Sequence, residues 1–130
     1  MNVQLINKEL LAELHRKAAE SERFRISFYM RKSMEDGSQR MLNALEPGAE
    51  MPVYRHHGSF ETVVILRGRV RWVFYDENAV ETESVVLDAD GNVRCINVER
   101  DRWHSLECMA SGTILRQSLR STCPLNFTSH

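Results

Sequence analysis

A chain of 130 residues with 17 basic and 18 acidic side chains, a net charge of -1, 42% hydrophobic and 27% charged residues has the balance of one globular domain. Such a length buries roughly two-thirds of the unfolded surface, and the composition excludes disordered, collagen-like and disulfide-scaffold classes. Near-neutral charge removes the drive to wrap nucleic acid or lie on an anionic membrane, which leaves a small molecule as the expected ligand. The longest aliphatic run, Val63 to Leu66, is far too short to span a bilayer, and the start MNVQLINKELL lacks the pattern of a signal peptide, so a cytoplasmic location is expected. Cys95, Cys108 and Cys123 form no C-x-x-C pair and read as free thiols, the first two as buried small hydrophobes.

In chain order, Leu10, Leu11, Leu14 and Ala18 recur at helical spacing, predicting one amphipathic helix over about 7–20 with Asn7 as N-cap and Glu9 in its first turn. The period then changes to two: Phe24, Ile26, Phe28 and Met30 alternate with Arg23, Arg25, Ser27 and Tyr29, the pattern of a half-buried strand. Short extended runs follow near Arg40–Leu45, Met51–His56, Glu61–Leu66, Arg69–Tyr75, Val80–Leu87, Val93–Val98, Trp103–Met109 and Thr113–Leu119. Turn signals such as Pro47-Gly48, Arg67-Gly68 and Ser111-Gly112 separate them, which reads as an antiparallel sandwich or barrel. The chain is therefore expected to be a single all-β domain over 1–130, with its barrel over about 23–119 and an unpatterned tail over 120–130.

The residues able to carry chemistry cluster in Tyr54-Arg55-His56-His57-Gly58-Ser59-Phe60-Glu61 and in Trp103-His104-Ser105. Two imidazoles and one carboxylate converging from different strands hold Fe(II), Mn(II), Ni(II) or Zn(II) while leaving positions open for water or substrate. His56, Glu61 and His104 are the candidates. Alternation puts Glu61 in phase with Val63 and Ile65, and His104 with Leu106 and Cys108, as inward positions require. A carboxylate inside an apolar strand is costly unless paired or metal-bound. His57 offers a rival register to His56, but that register would put Arg55 in the first ligand position, and a guanidinium cannot coordinate a cation. Trp103 reads as packing or as a wall of the pocket.

The run from Gly48 to Gly68 resembles the first motif of the cupin superfamily, G-x5-H-x-H-x3,4-E-x6-G, and Val98 to His104 resembles the second. More narrowly, the opening helix, the lead-in QRMLNALEPG and the Trp103-His104 pair are similar, in order, to the WbuC-type cupin-fold metalloproteins, over about Leu5 to Leu119. The resemblance implies a small cupin β-barrel or jelly roll with an N-terminal α-helix, a divalent metal site at one end and a homodimer. It also implies, for some members, an association with bacterial surface-polysaccharide loci. The family's first histidine falls at Tyr54, the proline of its second motif at Glu99 and its small turn residue at Asp101. The matching metal positions are thus His56, Glu61 and His104, with Tyr54 as a phenolate fourth ligand if a metal ion displaces its proton.

Arginine supplies 14 of the 17 basic residues. Arg67, Arg69 and Arg71 read either as an anion clamp or as an outer barrel face paired with Glu81 or Glu83. Arg40 and Asn43 are further candidates for polar groups of the pocket. Three classes of function stay open: an enzyme using the metal on a small, sugar-derived molecule, a non-catalytic carbohydrate-binding cupin, and a metal-free structural cupin.

Overall fold

The computed structural model describes the backbone of residues 3–30 and 38–129, and the side chains of these except 38, 56–59 and 120–129. The chain opens with helix α1 (Lys8–Glu20), followed by strands β1 (Arg25–Tyr29), β2 (Ser38–Leu45), β3 (Tyr54–Arg67), β4 (Arg69–Tyr75), β5 (Glu81–Asp88), β6 (Cys95–Val98), β7 (Trp103–Cys108) and β8 (Thr113–Ser129). The helix starts where the sequence predicts: the Asn7 side chain accepts from the Leu10 amide at 2.9 Å, satisfying one of the donors a helix start leaves unpaired.

All strand pairs are antiparallel, in the order β1-β2-β8-β3-β7-β4-β5, with β6 also on β3. β3 is the hinge of this arrangement. One of its edges pairs with β8 along most of its length, and the other takes β6 through Glu61–Val64 and meets β7 at Tyr54.

Strand alternation sends one set of side chains to each face of the curved sheet. On the inner face, Leu45, Val63, Ile65, Val70, Trp72, Leu87, Val98, Cys108 and Leu115 form the main core. On the outer face Leu42, Ala44 and Ile114 meet Leu14 and Ala18 of α1, with Ile26 and Phe28 packed against them. The apolar stripe of β1 therefore serves the helix, and its polar residues Arg25 and Ser27 face the other way.

Differences from the sequence reading have physical causes. The runs Met51–His56 and Glu61–Leu66 are expected as two strands, but Tyr54–His56 and Glu61–Leu66 belong to one strand, β3, which Met51–Val53 precede, with a register shift between His57 and Ser59; Gly58 bends the strand without ending its ladder. The backbone of 120–129, read as a tail, continues β8, with 126–129 paired to Tyr54–His57 and 120–121 to Phe60 and Ser59. Main-chain hydrogen bonding needs no apolar pattern, so alternation gave no sign of it. Cys108 is buried but Cys95 is exposed, since it sits on β6, whose outward positions face solvent; Cys123 lies outside the described side chains.

The hairpin between β3 and β4 depends on Gly68. Its φ of +82° suits glycine, and a Cβ there would stand 2.1 Å from Thr113 Oγ1 and 2.7 Å from Thr113 Cα. The fully buried Thr113 donates to the Ala110 carbonyl at 2.6 Å and accepts from the Arg69 amide at 3.2 Å, so the start of β8 is locked beneath the turn. Arg71, on the outer face, pairs with Glu81 and lies 3.8 Å from Glu107, which supports the solvated-face reading for this arginine.

Candidate functional site

Glu61 reaches the interior because β3 continues in phase through Val63 and Ile65, both buried. His104 reaches the same place from β7, in phase with Cys108. The two side chains are 3% and 5% exposed, and Glu61 Oε1 stands 3.2 Å from His104 Nε2. The expected convergence of these two residues from separate strands is thus present. Tyr54 is directly opposite His104 in the β3–β7 register. Of the other candidates, His56 and His57 lie in β3, with backbone partners Phe127 and Asn126, but their side chains lie outside those described. Among the described residues no group of three His, Cys, Asp or Glu side chains is placed to hold a metal ion.

The proton arrangement at His104 follows from its other nitrogen. Nδ1 lies 2.9 Å from the Arg102 carbonyl oxygen, and a carbonyl only accepts, so Nδ1 carries the proton. In the neutral ring Nε2 is then a bare lone pair aimed at a buried carboxylate. Two lone pairs at that distance repel, so either a proton, carried by one of the two groups, or a cation lies between them. Tethering the far nitrogen to a carbonyl is the arrangement that orients metal-ligating histidines. Two donors at about 2.1 Å from one ion and at a right angle would stand about 3.0 Å apart, so the observed separation suits either occupant.

The surroundings hold this pair rigidly. Trp72, fully buried on β4, stacks on the His104 ring with centroids 5.1 Å apart and planes 13° from parallel. Gln117 Nε2 on β8 donates to Glu61 Oε2 at 2.9 Å. Asn43 on β2 donates in turn to Gln117 Oε1, and Ser27 on β1 donates to Asn43 Oδ1. A continuous polar chain therefore crosses the sheet from β1 to the carboxylate at the centre. Of the two lead-in candidates, Asn43 belongs to it, whereas Arg40 is in phase with Leu42 and Ala44 on the outer face.

Gln117 and Ser27 were not singled out from the sequence. The available signal was a polar amide at Gln117 in phase with the apolar Leu115 and Leu119, which marks an inward polar position. Trp103 is buried: its indole N–H donates to Glu77 Oε2 at 3.3 Å, and the Arg55 guanidinium lies 4.4 Å over its ring.

Beside the centre, a cavity of about 520 Å³ opens between β1, β2 and β8. Its lining includes Gln117, which bonds Glu61, and Tyr54, opposite His104 in the register, together with the polar residues Arg23, Arg25, Ser27, Gln39 and Asn43. This is a common size for a small-molecule site.

Comparison with known proteins places this architecture. No curated protein matches the sequence. Among solved structures, an oxalate oxidase in complex with the substrate analogue glycolate superposes with a TM-score of 0.64 at 12% identity, over 83% of this chain and 56% of that one. The Cnp3 cupin domain of Schizosaccharomyces pombe gives 0.60 at 18% identity, over 75% and 64%. The capsular polysaccharide assembling protein CapF of Staphylococcus aureus gives 0.61 at 17% identity, over 76% and 28%. The chain thus spans between about a quarter and two thirds of these proteins, and what is shared is the cupin fold. Residues 6–87 match the family described as Domain of unknown function (DUF6016), and since that is more than half of the chain, the protein belongs to this family, on a cupin fold with an N-terminal helix.

Proposed function

We propose that the protein is a cupin-fold metalloprotein of the WbuC type that holds one divalent ion, Zn, Fe, Mn or Ni, and receives a small molecule in the adjoining cavity. His104 and Glu61 are two of the proposed ligands, His56 is the third and Tyr54 takes the fourth position. Sugar-derived compounds are the first candidate ligands, following the resemblance to proteins tied to surface polysaccharides. A cytoplasmic homodimer without nucleic-acid or membrane partners completes the reading; among the described residues no helix is long and apolar enough to cross a membrane.

The observation that carries the proposal is the lone pair of His104 Nε2 directed at the Glu61 carboxylate, with Nδ1 tied to the Arg102 carbonyl. A bound divalent ion would supply Lewis acidity there. The chain's own residues do the rest: Gln117 orients the carboxylate, Trp72 fixes the ring and screens it from water, and Tyr54 presents a phenol between centre and cavity.

Elemental analysis of protein purified without chelator or affinity tag, for wild type and for His104→Ala, tests this. Near-stoichiometric metal in the wild type and its loss in the variant is the expected result. Absence of metal from both, even after incubation with Fe(II), Zn(II), Mn(II) and Ni(II), would overturn it and leave Glu61–His104 as a structural ion pair in a metal-free cupin.

A further inference from the structure

The cavity beside the centre has a charge character of its own. Arg25 lies on its wall, partly buried, and its guanidinium has one contact among the described residues, the Met51 sulfur at 3.5 Å from NH1. A thioether is a weak acceptor, so a five-donor cation is held in a semi-enclosed space with no carboxylate among the described residues to meet it. Most other arginines with described partners are spoken for: Arg16 pairs with Glu20, Arg55 with Glu77, Arg71 with Glu81 and Arg102 with Glu83. Among the described residues no Asp or Glu lines this cavity, and Arg23 is part of its lining. The shallower recess on the far side of Arg23 and Arg25 does include Glu22 and Glu50, but neither comes within ion-pair distance of these arginines among the described residues.

A second observation is Gln39. Only 8% exposed, it lines the same cavity, and its amide makes no hydrogen bond among the described residues. Its polar atoms are not among the buried groups that lack a partner, so the amide is open to the cavity and can donate to and accept from a bound molecule. The remaining lining alternates hydroxyls with the apolar surfaces of Met41, Met51 and Leu119, which suits a molecule with polar edges and C–H faces.

We propose that this cavity binds a small hydroxylated carboxylate of sugar-acid type, its carboxylate taken by the Arg25 fork and its hydroxyls by Gln39 and the neighbouring polar side chains. The Arg25 guanidinium matches the charge and two-oxygen edge of a carboxylate. The far end of such a ligand comes against Gln117, which bonds Glu61, and Tyr54, opposite His104 in the register. This assignment rests on the proposed function only for what happens at that far end; the capture of the anion depends on Arg25 alone.

Calorimetric titration tests it, with glucuronate and galacturonate set against glucose, galactose and glucose 6-phosphate, on wild type, Arg25→Gln and Arg25→Lys. At least one uronate is expected to bind in preference to its neutral parent. Its affinity should fall roughly ten- to hundredfold in Arg25→Gln, the range for a hydrogen-bonded charged group, and less in Arg25→Lys, which keeps the charge without the fork. Metal content measured on the same samples should equal that of wild type in both variants. Equal binding of charged and neutral sugars, preference for the phosphate, absence of uronate binding up to millimolar concentration, or affinity unchanged in a folded Arg25→Gln would each overturn the proposal. If the wild type carries no metal yet binds a uronate through Arg25, the anion site stands and the metal reading alone fails.

Discussion

Glu61 on β3 and His104 on β7 meet 3.2 Å apart, both almost wholly excluded from water, with the histidine's other nitrogen bound to the Arg102 carbonyl. Each group satisfies a need of the other that nothing apolar around them could meet, and removing either leaves the partner buried without its counter-group. In chelator-treated protein, His104→Ala and Glu61→Leu should each cost on the order of 3 kcal/mol of stability. The double variant should cost clearly less than the sum, because the penalty of the orphaned partner disappears. Urea titrations of the three variants check this; strict additivity would show that the two side chains do not interact.

Gly68 and Gly48 both have positive φ, +82° and +97°, but a Cβ at Gly48 would meet nothing nearer than Phe24 Cδ2 at 3.8 Å, whereas at Gly68 it would strike Thr113. Backbone strain alone costs about 1–2 kcal/mol for a non-glycine residue in this region. Gly48→Ala should lose about that much, and Gly68→Ala considerably more, since a collision with backbone cannot be relieved by a rotamer change. Thermal unfolding of the pair checks the ranking, and equal losses would contradict it.

The helix is fastened to the barrel through a cluster remote from the centre. His15 Nε2 lies 2.8 Å from Glu46 Oε1, and Ser111 Oγ donates to the same oxygen at 3.0 Å. Glu46 is buried although it is charged. His15→Ala leaves it with the serine alone and should cost about 1–2 kcal/mol, with hydrogen exchange of α1 amides accelerating while those of β4 stay protected. Unchanged exchange in α1 would mean that the apolar contacts of Leu14 and Ala18 suffice to hold the helix.

Burial pushes the Cys108 thiol above its ordinary value of 9.0, an effect larger than the opposing hydrogen bonds with Thr113 and Ala110. A pKa higher in the folded than in the unfolded chain contributes stability that is fully present below the ordinary thiol value and is lost as pH rises from there towards the folded pKa. At neutral pH the group is a protonated, inert thiol. Iodoacetamide should therefore modify exposed Cys95 well before Cys108, as read by peptide mass mapping, and Cys108→Ala should flatten the loss of stability as pH rises above the ordinary thiol value of 9.0. Modification of Cys108 at the rate of Cys95 would refute its burial.

Local pattern determined a good deal about this protein. The spacing of Leu10, Leu14 and Ala18 with the Asn7 cap set the helix; two-residue alternation and glycine turns set most strands; and Glu61 and His104, in phase with apolar neighbours, marked an inward polar pair. These depend on residues within one turn or one strand. What the tertiary structure decided depends on distant partners. The Gln117 to Glu61 bond joins positions 56 residues apart and the Asn43 to Gln117 bond joins positions 74 apart, so no local window contains the polar chain that orients the carboxylate. The same holds for the β8 extension, which exists as a strand because Tyr54–Phe60 offers it an edge, and for Arg25, which meets no carboxylate among the described residues, a property of the cavity and not of β1. Periodicity says which way a side chain points; only the closing of the sheet on itself says what it meets.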